Sequence, residues 1–230
     1  MTPNSGRKGG RVEPGAYETD TSGMARAHGM VERSLENAPR YVSAASEPHR
    51  VAAVASFYEN VLEYVHVHHS AEDELLYPLL EERCADDLDA VERIWSQHDR
   101  LRAPMAAAGD AIDQWRANPT DASAAAIVDA LRRVLEVLTP HCRDEERVVV
   151  ALASRHLSQD EWASMLTFEV QSYTADRPWL MLGLALEQSD EAHREALLSR
   201  LPEARRTLWT DEWSPAFQAF MADVRPSAPS

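Results

Sequence analysis

The sequence predicts an all-α protein: an up-down four-helix bundle followed by a C-terminal helical extension. Three observations predict it. Four segments carry apolar residues at alternating steps of three and four, which is one face of a helix. Sustained along whole helices, that alternation is the pattern of rods packed at shallow angles. Six polar residues also sit on those apolar seams: His28, His68, Glu72, His98, His141 and Glu145. An unpartnered buried polar group costs about 2–7 kcal/mol, so such residues on every helix point to a site built for metal.

Composition narrows the class. The 230 residues are 44% hydrophobic, enough for one sizeable core with an appendage or for two small domains. A formal net charge of −15 argues against a nucleic-acid-binding face. No apolar run is long enough to span a bilayer, and the N-terminal stretch holds no apolar leader. Cys84 and Cys142 are too few for a disulfide framework and fit a reducing compartment, so the expected location is cytoplasmic. Cys142 follows His141 but lies one residue off its seam, which sets it outside the ligand set.

Residues 1–20, rich in Gly, Pro and charge, read as a disordered tail. The bundle is expected over 21–157. Its first helix starts at Thr21 or Ser22, both good caps, and runs through Met24, His28, Val31 and Leu35 towards Pro39. The second follows Ser46 and Pro48, with the seam Val54, Tyr58, Val61, Val65, His68, Glu72, Leu75 and Leu79. The third carries Val91, Ile94, His98, Leu101, Met105, Ala108, Ile112 and Trp115, and ends at the Asn118-Pro119 turn. The fourth carries Ile127, Leu131, Val134, Leu138, His141, Glu145, Val148 and Leu152. The second and fourth resemble one another around His68…Glu72 and His141…Glu145, which suggests pseudo-symmetry across a site. Pro78, Pro104 and Pro140 lie inside seams that continue beyond them, so each is expected to bend its helix rather than end it.

Residues 158–224 read as a helical extension. Ser158 and Glu161 form a capping box, and Pro178 opens a short buried helix over PWLMLGLAL. Ser189, Pro202 and Ser214-Pro215 open further helices. Trp209, Trp213, Phe217 and Phe220 are expected to pack on the bundle, and no ligand cluster is expected here. Residues 225–230 read as a loose tail.

Residues four apart on a helix stack about 6 Å along its axis. His68 with Glu72, and His141 with Glu145, can therefore each aim a nitrogen and a carboxylate at one point, with His28 and His98 arriving from the other two helices. Mixed imidazole and carboxylate donors suit iron or manganese, and the set exceeds what one tetrahedral zinc needs. Two ions about 3.5–4 Å apart, bridged by the two carboxylates, would use every member. His49, His156 and His193 have no partners, and Glu63 with His66 lies off the seam. Tyr58 and Tyr77 are near the site, with their hydroxyls expected to point outward.

The strings AHGMVE around His28, HVHHSAEDELLYPLL around His68 and Glu72, SQHDRLR around His98 and HCRDEER around His141 and Glu145 resemble the hemerythrin-like family. This is the HHE cation-binding domain, and the resemblance covers roughly residues 22–155. It implies a four-helix bundle around a carboxylate-bridged pair of iron ions, with manganese or zinc less favoured. It also implies a small ligand, either diatomic (dioxygen or nitric oxide) or peroxide, taken up for sensing, storage or detoxification. An enzyme disproportionating peroxide or reducing nitric oxide is one form. The alternative is a non-enzymatic iron-sensing or interaction protein whose metal orders the bundle.

One departure from the family matters. Oxygen-carrying members place a second His on the third helix, four residues from the first; here those positions are Ile94 and Arg102. Two octahedral ions offer about twelve positions, and four imidazoles, two bridging carboxylates and a bridging oxygen fill about ten. His69 is the first candidate for a further ligand or for a supporting place behind the ligands. Asp73 and Glu146 come next, because the family sometimes places its carboxylate five residues after the His. About two open positions argue against simple reversible oxygen carriage and for turnover or a labile, sensing site.

Overall fold

The computed structural model describes residues 17–226. Helix α1 (Gly23–Glu36) follows Ser22, and Asn37 turns the chain into the short α2 (Ala38–Ala44). Helix α3 (Pro48–Ala71) starts on Pro48, where a missing N–H costs nothing. It passes into a π-helical turn at Glu72–Leu76 and continues as α4 (Tyr77–Arg83). Next come α5 (Leu88–Trp95) and α6 (His98–Ala117). Helix α7 (Asp121–Arg147) opens on a reciprocal cap between Thr120 and Ser123 and is followed by α8 (Val149–His156). The extension comprises α9 (Gln159–Ser172), α10 (Leu180–Glu187), α11 (Glu191–Arg200), α12 (Glu203–Leu208), a π turn at Trp209–Trp213 and α13 (Ser214–Val224).

The bundle is the antiparallel ring α1–α3–α6–α7, each helix packed on its two neighbours. The all-α, up-down bundle with a helical extension is therefore what the chain forms. Two expected rods are each split: the third breaks at Ser96–Gln97, and the fourth breaks at Val148. Helices α6 and α7 run on through Pro104 and Pro140.

The π turn changes the register of the second rod. Pro78 has no N–H to give Glu74, and the Tyr77 N–H bonds back to Glu72, one residue further than an α-helix reaches. The extra residue slips the seam by one. Leu76, Tyr77 and Leu80 are buried, while the expected Leu75 and Leu79 are only half-buried.

Helix α3 is buried on nearly every side, not along one stripe. Helices α1 and α6 take one face, and α9, α10 and α13 cover the rest. The cover is pinned by a polar network on the buried Asn60. Asn60 Nδ2–H donates to Asp176 (2.8 Å), and the Tyr173 hydroxyl donates to Asn60 Oδ1 (2.8 Å). Phe217 and Phe220 are buried with Trp209 and Trp213 packed beside them, as expected. Gly183 on α10 lies so close to the Phe217 ring that a Cβ there would run into it.

The terminal segments depart from expectation where they are described. Thr19, placed in the expected tail, is buried, and its hydroxyl donates to the Leu157 carbonyl (2.5 Å). Arg225 is held through its carbonyl by Arg50 (2.5 Å) and by an ion pair to Glu187. The rest of both expected tails, 1–16 and 227–230, lies outside the described residues.

Two apolar layers make the core. One holds Val31, Leu35, Tyr58, Val65, Leu101 and Leu138 among others, and the second holds Met24, Leu76, Tyr77, Ile94, Val149 and Leu152. The polar seam residues lie between the layers. No helix among the described residues is long and apolar enough to cross a membrane.

Candidate metal centre

All six seam residues meet in the middle of the bundle, and His69 joins them. His28, His68, His69, His98, His141, Glu72 and Glu145 are all buried, both carboxylates fully. Two overlapping sets of donor atoms lie within 4.8 Å of one another: His69, Glu72, His98 and His141; and His28, His68 and Glu72. Neighbours on a helix sit about 100° apart, and the two rings take different flanks: His68 meets His28 and Glu169, while His69 meets His98 and His141.

Each imidazole has one nitrogen tied outward. The Nδ1–H of His28 donates to Glu146 (2.9 Å), that of His68 to Glu169 (2.7 Å) and that of His98 to Asp73 (2.7 Å). His69 donates to the Val65 carbonyl (2.8 Å) and His141 to Gln97 Oε1 (3.1 Å). Such acceptors fix the ring and its tautomer, so Nε2 is the nitrogen offered inward. Asp73 and Glu146 thus stand behind ligand candidates, bonded to the far side of His98 and His28.

The inner nitrogens converge on the carboxylates. Glu72 Oε1 lies 3.1 Å from His68 Nε2, and its Oε2 lies 3.5 Å from His98 Nε2. Glu145 Oε2 lies 3.3 Å from His28 Nε2 and 3.7 Å from His141 Nε2. These are ion-pair distances without hydrogen-bond geometry. Nε2 of His69, His98 and His141, both Glu72 oxygens and Glu145 Oε2 are buried with no hydrogen-bond partner. Among the described residues the one other buried side-chain atom in that condition is Arg50 Nε. Each orphaned group costs about 1–3 kcal/mol, which a cation between them would repay. The donor set therefore fits a metal site.

Electrostatics agree. Burial opposes charge on His28 and His68, yet Cys142, Glu145 and Glu146 around the first, and Glu72 and Glu169 around the second, lift both well above the imidazole norm. Burial and the neighbouring histidines push His69 well below it, and push His141 down to about 4. Burial and the facing Glu145 raise Glu72. Burial also works to raise Glu145, but His28 and His141 overcome it and hold it low. Perturbation this dense marks a functional site.

Three participants escaped the sequence reading. The Tyr77 hydroxyl, expected to point outward, donates to Glu145 Oε1 (2.8 Å), because the register slip turns residue 77 inward. Tyr58 is also turned inward, donating to the Ser34 carbonyl (3.3 Å) away from the site. Glu169 comes from the extension, where no site residue was expected. It does carry a signal: with Trp162 and Met165 it continues a three-and-four apolar face, the same sign that marked the six. Gln97 sits in a helix break and carries none. Cys142 packs beside His28, its thiol pushed up by burial, and belongs to neither donor set.

No curated protein and no solved structure matches the chain. A family model described as the Hemerythrin HHE cation binding domain matches residues 19–153, which is more than half of the 230 residues and stops short of α9. The match spans the four rods that bring the buried histidines and carboxylates together, and the chain belongs to the hemerythrin HHE cation-binding domain family.

Proposed function

We propose that this chain is a non-haem di-iron protein that takes up a small oxidant, which is dioxygen, peroxide or nitric oxide. The observation that carries the reading is the convergence of five imidazole Nε2 atoms on two carboxylates, with six of these donor atoms lacking any other partner. His28 and His68 would hold one ion, and His69, His98 and His141 the other. Glu72 gives one oxygen to each side, and Glu145 reaches both through Oε2. Imidazole with carboxylate is the donor mixture of iron and manganese.

When bound, the two ions supply Lewis acidity and one-electron redox steps. The chain supplies the rest. The outward acceptors hold each imidazole in place and raise its basicity. Tyr77 fixes the Glu145 carboxylate by occupying Oε1. The apolar layers above and below exclude water and so strengthen every charge interaction between them.

His69 revises the donor count. With a fifth imidazole, about eleven of about twelve positions would be taken, leaving about one open instead of two. A single open position leaves reversible oxygen binding as accessible to this site as turnover. A second reading, a non-enzymatic iron sensor, draws support from the Glu169–His68 bond, which ties the extension to metal occupancy. Loading the chain with iron and adding peroxide tests both. Iron uptake with a visible spectrum that changes on peroxide is expected. Oxygen evolution then marks turnover, and its absence marks sensing. A chain that takes up no iron sinks the proposal.

A further inference from the structure

Resting on the redox reading above, we infer that Trp95 is an electron port linking the metal centre to a small one-electron donor in solution. Its indole touches the site by two routes. The Nε1–H donates to Asp73 Oδ1 (2.6 Å), the same oxygen that accepts the Nδ1–H of His98 (2.7 Å). Its ring also stacks on Tyr77, with centroids 5.2 Å apart and planes 4° from parallel, and the Tyr77 hydroxyl bonds to Glu145. One side chain is thus joined to a ligand imidazole and to a bridging carboxylate.

Trp95 is only half-buried. It lines a surface cavity of about 240 Å³ with Asp73, Ser96, His98, Asp99 and Arg102. The cavity reaches the outside of the site without opening its inside, where the Nε2 atoms are sealed from solvent. Packing alone would need an apolar cover here. It would not need an indole N–H sharing the oxygen that holds His98. Indole and phenol are the most readily oxidised aromatic side chains, and electron transfer falls steeply with distance. A stacked pair bonded to two site residues is therefore a short, readily oxidised path out.

Peroxide, taking two electrons and two protons and leaving as two waters, would place two oxidising equivalents on the bound metal pair, and the Trp95 indole would return the electrons one at a time. The indole becomes its cation radical, keeps its N–H bonded to Asp73, and has its charge offset by that carboxylate. A donor of the enediol class, such as ascorbate, returns one electron from the cavity. It is itself oxidised by one electron, and the indole is restored.

The test uses the full chain loaded with iron, treated with peroxide, digested and examined by peptide mass spectrometry. Oxygen addition at Trp95 ahead of the other five tryptophans, suppressed by ascorbate and missing from the metal-free chain, is expected. Trp95→Phe keeps a ring on Tyr77 while losing the N–H and the ease of oxidation. It should keep its iron and lose the fast phase of ascorbate re-reduction of the visible spectrum. If the spectrum responds to peroxide while Trp95 stays unmodified and Trp95→Phe is re-reduced at the wild-type rate, the port is overturned. Equal modification of the metal-free chain overturns it as well. A spectrum that never responds to peroxide overturns the redox reading itself, which separates the two failures.

Discussion

Glu169→Gln isolates what the extension does for the metal site. Glu169 is buried, lies beyond the matched domain and accepts the Nδ1–H of His68 at 2.7 Å. Glutamine keeps the shape and an acceptor oxygen but removes the charge. A hydrogen bond to a charged group contributes about 1.5–3 kcal/mol net, against about 1 kcal/mol for a neutral one. The His68 ring then becomes a poorer donor at Nε2. Losing a partner behind a ligand typically costs about 10–100-fold in metal affinity, or about 1.4–2.7 kcal/mol. The loss should fall on one ion, because Glu169 touches His68 and leaves His69, His98 and His141 untouched. Competition against a chelator, following both binding steps, measures it. Unchanged affinity, or equal weakening of both steps, would refute the reasoning.

Three further outcomes follow from the same geometry. Glu72 is raised by burial and by Glu145, so its carboxylate costs the metal-free fold stability at neutral pH; Glu72→Gln should raise the Tm of metal-free protein while abolishing metal uptake, and a lowered Tm would contradict this. In the metal-free chain His28, His68 and His98 bind protons above the ordinary imidazole range, protons that an incoming ion must displace. Metal affinity should therefore strengthen as pH rises and weaken as it falls, with proton release measurable by calorimetry in buffers of different ionisation enthalpy. Gly183→Ala drives a methyl group into the Phe217 ring and should cost about 1–3 kcal/mol of stability by denaturant titration, with the buried histidines and carboxylates unmoved.

Much of the site was legible in the sequence because burying a polar residue is expensive. A histidine or glutamate on an apolar seam declares itself, as His28, His98 and Glu145 did. His69 was harder, since it neighbours a seam residue and meets its partners, His98 and His141, on a different flank of α3 from those of His68. Tyr77 was misread because seam arithmetic assumes an unbroken α-helix, and the π turn before Pro78 adds a residue. Glu169 stood on an apolar face but alone, without a second polar residue to give it a partner. Gln97 depends on a helix break that no local pattern announces. The burial of α3 on all sides was hidden for a related reason: periodicity reports one face, and the second face belongs to the extension that folds over it.

Seven buried side chains are proposed to hold a pair of ions, with His69 a full member of one half. Elemental analysis of purified wild-type chain and of His69→Ala tests this most directly. Two irons per wild-type chain and one tightly held iron in the variant are expected, the survivor on the His28 and His68 side. A wild-type chain with one iron or none, or a variant that keeps both with undiminished affinity, would contradict it.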